Sequence, residues 1–215
     1  METRLLFVRH AESICGVEGV FGGPRGCRGL TELGHRQAAS VGQRLAAELQ
    51  DPQLVSVYSS TLRRAVETAS AISAAFGVVP AQDCGLCTWH VPDWADGQPK
   101  GLVQAENAVA GGGIYRPFET GNETWAELVV RGSRAMIEIA ERHRSQTVIL
   151  VGHSETVEVS FHALGMLPLY RSFDLRVGLG SVTEWVTDQD PTLWPPARWT
   201  LVRFNYAVPL IRDLS

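Results

Sequence analysis

Leu5, Leu6, Phe7 and Val8 run without a polar interruption and then give way at once to Arg9 and His10. A continuous apolar run of this kind suits a central parallel strand covered on both faces, although a segment this short also fits buried helix. Ala38, Val41, Leu45 and Leu49 recur at helical spacing behind Thr31, a good N-cap, with Glu32 in the first turn and Asp51-Pro52 as the stop. Leu54 to Tyr58 reads as a second strand and Leu62 to Phe76 as a second helix, with Ala65, Ala69 and Ile72 on one face and Gly77 as its end. Thr124 to His143 carries another helical stripe, Thr147 to Val151 another buried strand, and Val157 to Leu164 a further helix. Ser181 to Thr187 and Arg198 to Asn205 alternate with period two and should add strands at the sheet edge.

This alternation of strand and helix predicts an α/β fold. Two stretches interrupt it. Gly16 to Gly29 is a glycine-rich loop, and about residues 80–121 are irregular, with Trp89, Pro92, Trp94 and Gly111-Gly112-Gly113. A loop that long in a compact domain is usually functional, which makes it a candidate lid on a single domain spanning 1–215.

Composition narrows the class. At 215 residues and 45% hydrophobic, the chain can bury one substantial core. A formal net charge of −4 argues against a nucleic-acid or anionic-membrane partner, which would leave a basic footprint. No stretch approaches the roughly 18 apolar residues of a membrane span, and no signal-like segment opens the chain, so a cytoplasmic protein is expected. Four cysteines are too few for a disulfide scaffold of this length. Cys84 and Cys87 form a C-x-x-C with His90 as a nearby third ligand, but a metal reading needs more ligands close by. Reduced packing or loop cysteines are therefore expected, and no metal.

The chemistry collects at strand ends, where open α/β sheets bind their ligands. Arg9 and His10 follow the first strand, and Gly152-His153-Ser154 follows the run ending at Val151 in the same way. Arg63 falls in the first helical turn after Ser59-Ser60-Thr61. A guanidinium matches a phosphate in bidentate fashion, and a neutral imidazole can serve as nucleophile, base or metal ligand.

The blocks Val8-Arg9-His10-Ala11-Glu12-Ser13, Gly29-Leu30-Thr31-Glu32-Leu33-Gly34-His35, Tyr58-Ser59-Ser60-Thr61-Leu62-Arg63-Arg64-Ala65 and Val151-Gly152-His153 resemble, in order and spacing, the histidine phosphatase superfamily, or phosphoglycerate mutase-like family. That resemblance implies a three-layer α/β/α sandwich with a mostly parallel central sheet. It also implies a metal-independent phosphomonoesterase, free of cofactors, that hydrolyses a small phosphorylated metabolite through a phosphohistidine on His10. Arg9, Arg63 and His153 would complete the phosphate pocket. The alternatives are a mutase that returns the phosphoryl group to a second hydroxyl, and a catalytically weak phosphate-binding or interaction protein. The lid shows no evident clamp for a substrate carboxylate, which ranks the mutase lower.

Other residues are expected around this pocket. Ser13 would face it, Glu123 matches a family segment at a helix start, and Trp89 would offer an apolar face to substrate. Family members place an acid soon after the arginine-bearing helix, and Thr88 stands at what corresponds to it. Threonine cannot protonate a leaving oxygen near neutral pH, so the acid must come from elsewhere, with His90, Asp93, Asp96 and Glu155 as candidates. The apolar run Trp199 to Phe204 reads as internal strand or as a homodimer contact.

Overall fold

A computed structural model of the chain describes residues 2–49, 55–170 and 173–210. Six strands form one sheet: β1 (Thr3–Arg9), β2 (Val55–Ser59), β3 (Ala81–Gln82), β4 (Thr147–Gly152), β5 (Val182–Thr187) and β6 (Thr200–Tyr206). Their order across the sheet is β3-β2-β4-β1-β5-β6. The first four are parallel, and β5 pairs antiparallel with both β1 and β6. The mostly parallel sheet expected from the apolar runs is therefore present, with the antiparallel strands at one edge.

The apolar run in β1 is continuous because both of its faces are covered. Leu5 and Phe7 enter one core with residues of α5 (Trp125–Arg142) and α6 (Ser154–Ala163), while Leu6 and Val8 enter the other with α2 (Glu32–Glu48) and α3 (Arg63–Ala74). All four side chains are fully buried. Each contributes about 1.5–3 kcal/mol of transfer free energy, which makes this strand a poor place for any polar substitution. The result is the expected α/β/α sandwich.

Several local expectations change. Overlapping the start of the glycine-rich loop a short helix α1 (Ile14–Glu18) forms, capped by the Ser13 hydroxyl, which accepts from the Gly16 N–H. The 80–121 segment contains β3, a 3-10 turn (Cys84–Leu86) and α4 (Lys100–Asn107), so it is not irregular throughout. Helix α6 starts at Ser154, three residues before the apolar periodicity begins, with His153 at its N-cap. Thr31 caps α2 as expected, and α5 opens with a full capping box between Thr124 and Glu127. Asp51-Pro52 and Leu54 lie outside the described residues. Among the described residues, no helix is long and apolar enough to cross a membrane. Strand β6 lies at the sheet edge with Leu201 and Val202 exposed.

Candidate active site

Strands β1 and β4 are neighbours, with Arg9 opposite Gly152 in the ladder. His10 and His153 are the next residue on each, so the parallel register sets them side by side. The His10 N–H donates to the Gly152 carbonyl at 2.8 Å, and the two imidazole rings lie 5.2 Å apart. Both are buried. Together with Arg9 and Arg64 they line a cavity of about 380 Å³ at the carboxyl end of the sheet.

The hydrogen bonds fix which nitrogen does what. His10 Nδ1 lies 2.7 Å from the Ala11 carbonyl, an acceptor only, so Nδ1 carries the proton and Nε2 keeps its lone pair. Arg64 Nε donates to that Nε2 at 3.2 Å. Ser60 Oγ donates its one proton to Cys87 Sγ, so the 2.9 Å contact with His153 Nε2 makes the imidazole the donor there. His153 Nδ1 is then free to accept from Arg64 Nη2 at 3.2 Å. Burial, then the Arg64 charge, holds both histidines well below the usual imidazole pKa. Both rings are neutral in the free protein.

Arg64 replaces Arg63 in the expected set. Arg63 is largely exposed and pairs with Glu67 one turn along α3 at 2.7 Å. Arg64 is 7% exposed and points inward, with Nη1 donating to the Gly22 carbonyl at 2.6 Å. Helical geometry explains the exchange. Arg64 lies one turn from Thr68 and beside Ala65, on the face that Ala65, Ala69 and Ile72 bury. The Arg63/Glu67 spacing, an opposite-charge i,i+4 pair, already marks Arg63 as solvent-facing.

Two cations now face one cavity. Burial lowers the Arg9 pKa, with the nearby Glu155 opposing and Arg64 adding to that shift, and the buried Arg9 Nε has no hydrogen-bond partner among the described residues. Neither Arg9 nor Arg64 is held in an ion pair by a described carboxylate. Removing a guanidinium from water without a counter-charge is costly, and a bound anion would repay it. Gly22 makes room for this arrangement: a Cβ there would sit 2.5 Å from Cys15 Sγ and 2.9 Å from Arg64 Nη1.

The wall beside Arg64 holds a pair of thiols. Cys15 and Cys27 pack in one buried cluster, and the Cys27 sulfur accepts the Arg64 backbone N–H at 3.3 Å. The interaction between the two thiols pulls the Cys27 thiol down and pushes the Cys15 thiol up.

Ser13 and Glu155 line the cavity as expected, and Thr88 is there too. Glu155 and Thr88 also share the adjoining outer cavity with Trp89, Phe118, Lys100 and Gln104. The other acid candidates are elsewhere. The Asp96 carboxylate is used up on the N–H groups of Gly23, Arg25 and Gly26, and Asp93 is fully exposed beside Arg25. His90 faces the far side, with its N–H on Glu123 at 3.3 Å. Glu123 is likewise outside the cavity, bound to Arg131 by hydrogen bonds of 2.8 and 2.9 Å. Trp89 packs on Phe118 and Trp125, with ring centroids 5.9 and 5.7 Å away.

Two lining residues were missed from the sequence. Glu12 reaches the cavity and accepts from the Thr31 hydroxyl at 2.7 Å, and Lys100 enters from the start of α4. Glu12 had a signal, since it sits two residues after His10. Lys100 had none, because α4 buries only Val103 and shows no apolar stripe.

Fold and site together define a class: an α/β protein with two buried histidines and two guanidiniums gathered at one cavity beyond the carboxyl end of its sheet. A family model described as the histidine phosphatase superfamily (branch 1) matches residues 5–205, and the chain belongs to that family. It is 31% identical over 165 residues to a metal-independent phosphoserine phosphatase of Arabidopsis thaliana, an alignment covering 70% of this chain. The chain spans 64% of that relative's length. A glucosyl-3-phosphoglycerate phosphatase of Mycolicibacterium vanbaalenii is 26% identical over 210 residues, covering 86% of this chain and 87% of that protein. Among solved structures, a mycobacterial glucosyl-3-phosphoglycerate phosphatase complexed with VO3 superposes with a TM-score of 0.76 at 25% identity, over 95% of this chain and 99% of that one.

Proposed function

We propose that this protein is a phosphomonoesterase that hydrolyses a small phosphorylated metabolite through a phosphohistidine on His10. The observation that carries this reading is Arg64, a buried cation whose guanidinium spans His10 Nε2, His153 Nδ1 and the Gly22 carbonyl with no carboxylate to neutralise it. The family's phosphatase members support it.

A phosphate entering the cavity takes Arg64 and Arg9 as donors, which frees the His10 lone pair. His10 Nε2 then attacks phosphorus, the bond from phosphorus to the ester oxygen breaks, and the leaving oxygen takes a proton. Charge on the equatorial oxygens is met by the two guanidiniums, and positioning of this kind is most of what phosphoryl transfer asks of a protein. The phosphate dianion also favours a proton on His153, which adds a third donor. Because these side chains supply the positive charge, the reaction calls on no catalytic metal.

Glu155 is the acid in this reading. It shares both cavities with Thr88, the position from which the family's acid is missing. As the carboxylic acid it gives its proton to the leaving oxygen. As carboxylate it then accepts one from the water that attacks the phosphohistidine, releasing inorganic phosphate and restoring His10. Lys100, with Trp89 and Phe118, supports a substrate that bears a negative group beside an apolar or sugar face.

The test is trapping by an alkaline detergent quench. Incubation with a phosphate monoester labelled on phosphorus should leave an acid-labile, base-stable label on the wild-type chain and none on His10→Ala, which should also lose turnover by about 10⁴-fold or more. Undiminished turnover in that variant would exclude the reading, and an isomeric phosphate ester in place of free phosphate would make the protein a mutase.

A further inference from the structure

On either side of Thr88 in the sequence, Cys84, Cys87 and His90 bring their ligand atoms within 4.8 Å of one another. Cys84 Sγ lies 3.4 Å from His90 Nε2. In a tetrahedral zinc site, Zn–S bonds of about 2.3 Å and Zn–N bonds of about 2.0–2.1 Å put sulfur and nitrogen roughly 3.5 Å apart, so the observed spacing is the edge of such a tetrahedron. We propose that Cys84, Cys87 and His90 form a site for a soft divalent cation, zinc being the ion they fit, with water as the fourth ligand on the exposed side.

The surroundings are those of a prepared site. Arg131 reaches from α5 and donates to the carbonyls of Cys84, Gly85, Cys87 and Thr88, which holds the C-x-x-C turn in shape. Its own charge is taken by Glu123, so the guanidinium is a weak deterrent to a second cation. Cys87 Sγ receives the Ser60 hydroxyl at 3.3 Å and lies 3.2 Å from the Thr61 hydroxyl. Hydrogen bonds of this outer kind orient a thiolate and spread its charge, as they do around established metal ligands. Thiolate pairs with one imidazole select zinc over harder ions such as magnesium or calcium.

The ion would tie two pieces together. Cys84 opens the 3-10 turn and Cys87 follows it, His90 ends the stretch that carries Thr88 and Trp89, and Ser60 links Cys87 to His153. Loss of the metal should loosen the wall of the cavity while leaving His10, Arg9 and Arg64 in place.

Cobalt reports the site directly, because tetrahedral thiolate coordination gives a strong charge-transfer band and intense visible bands independent of turnover. Titration of the reduced full-length chain should saturate at one cobalt per chain, and zinc should displace it. Cys84→Ala should abolish the thiolate band and His90→Ala should weaken binding by at least about tenfold. His35→Ala, at an exposed histidine elsewhere, should change nothing. No band in the wild-type chain, or a band that survives both ligand variants, would overturn the proposal. If either variant fails to fold, alkylation of the unmodified chain decides: zinc should slow labelling of Cys84, and equal rates with and without zinc would overturn the assignment.

Discussion

The floor of the cavity and its rim hold their functional groups by different means. On the floor, Arg9, His10 and His153 stand at strand ends and Arg64 on the first turn of a helix packed against the sheet, and His10, Arg64 and His153 have their ring or guanidinium nitrogens engaged by neighbours in the protein. On the rim, Thr88, Trp89 and Lys100 stand in or beside the turns of the 80–121 segment, and Glu155 accepts from the hydroxyl of its neighbour Ser154. A floor held by main-chain hydrogen bonds and burial can keep one geometry for one group, the phosphoryl. A rim built on short elements and turns can vary its chemistry, and here it carries Thr88, Trp89 and Lys100 around the mouth of the cavity.

The sharpest way to test this contrast is with leaving groups. Glu155→Gln should lower turnover of an alkyl phosphate by about 10² to 10⁴-fold and that of para-nitrophenyl phosphate, whose leaving group needs no proton, by less than about threefold. An equal loss on both substrates would move Glu155 from the rim's chemistry to the floor's. The floor itself is tested by two adjacent arginines. Arg64→Ala should cost about 10² to 10³-fold in kcat/KM, while Arg63→Ala, which breaks only a surface pair, should stay within about twofold. Lys100→Ala should raise KM about tenfold with kcat little changed for a substrate bearing a second negative group, and should leave para-nitrophenyl phosphate alone.

The smallest effect is on stability. His10 and His153 have pKa values depressed by burial, so the unfolded chain binds protons that the folded chain does not. Their contribution is complete above the unfolded imidazole value of about 6.5 and is lost as pH falls from there towards the folded values. The urea midpoint should therefore drop on acidification below that point, and the double variant His10→Gln/His153→Gln should show a shallower slope. The turnover profile should keep its acid limb below the ordinary imidazole range.

The floor was largely legible in the sequence because it rests on strong patterns. Leu5 to Val8 suited a doubly covered strand, with buried helix as the alternative, and Gly152-His153 repeated the motif. Arg63 was read in place of Arg64 because two adjacent arginines look alike until helical phase is applied, and the Glu67 partner of Arg63 then settles it. The rim was poorly legible for a physical reason. Helix α4 has eight residues and one buried side chain, too little periodicity to detect, so Lys100 passed unseen. Asp96 looked like a free acid because nothing local reveals that its carboxylate caps three N–H groups of a loop some seventy residues earlier.

The pairing of Arg9 with Gly152 has a consequence for how such a protein can change over time. The distance between the two imidazoles is set by a count of hydrogen-bonded rungs rather than by the shape of any loop. Insertions, deletions and exchanges in the segment above the sheet leave that count untouched, so new substrates can be tried without recalibrating the reacting atoms. A one-residue slip between β1 and β4, by contrast, would separate the histidines and turn both strands inside out, and no change at the rim could compensate for it.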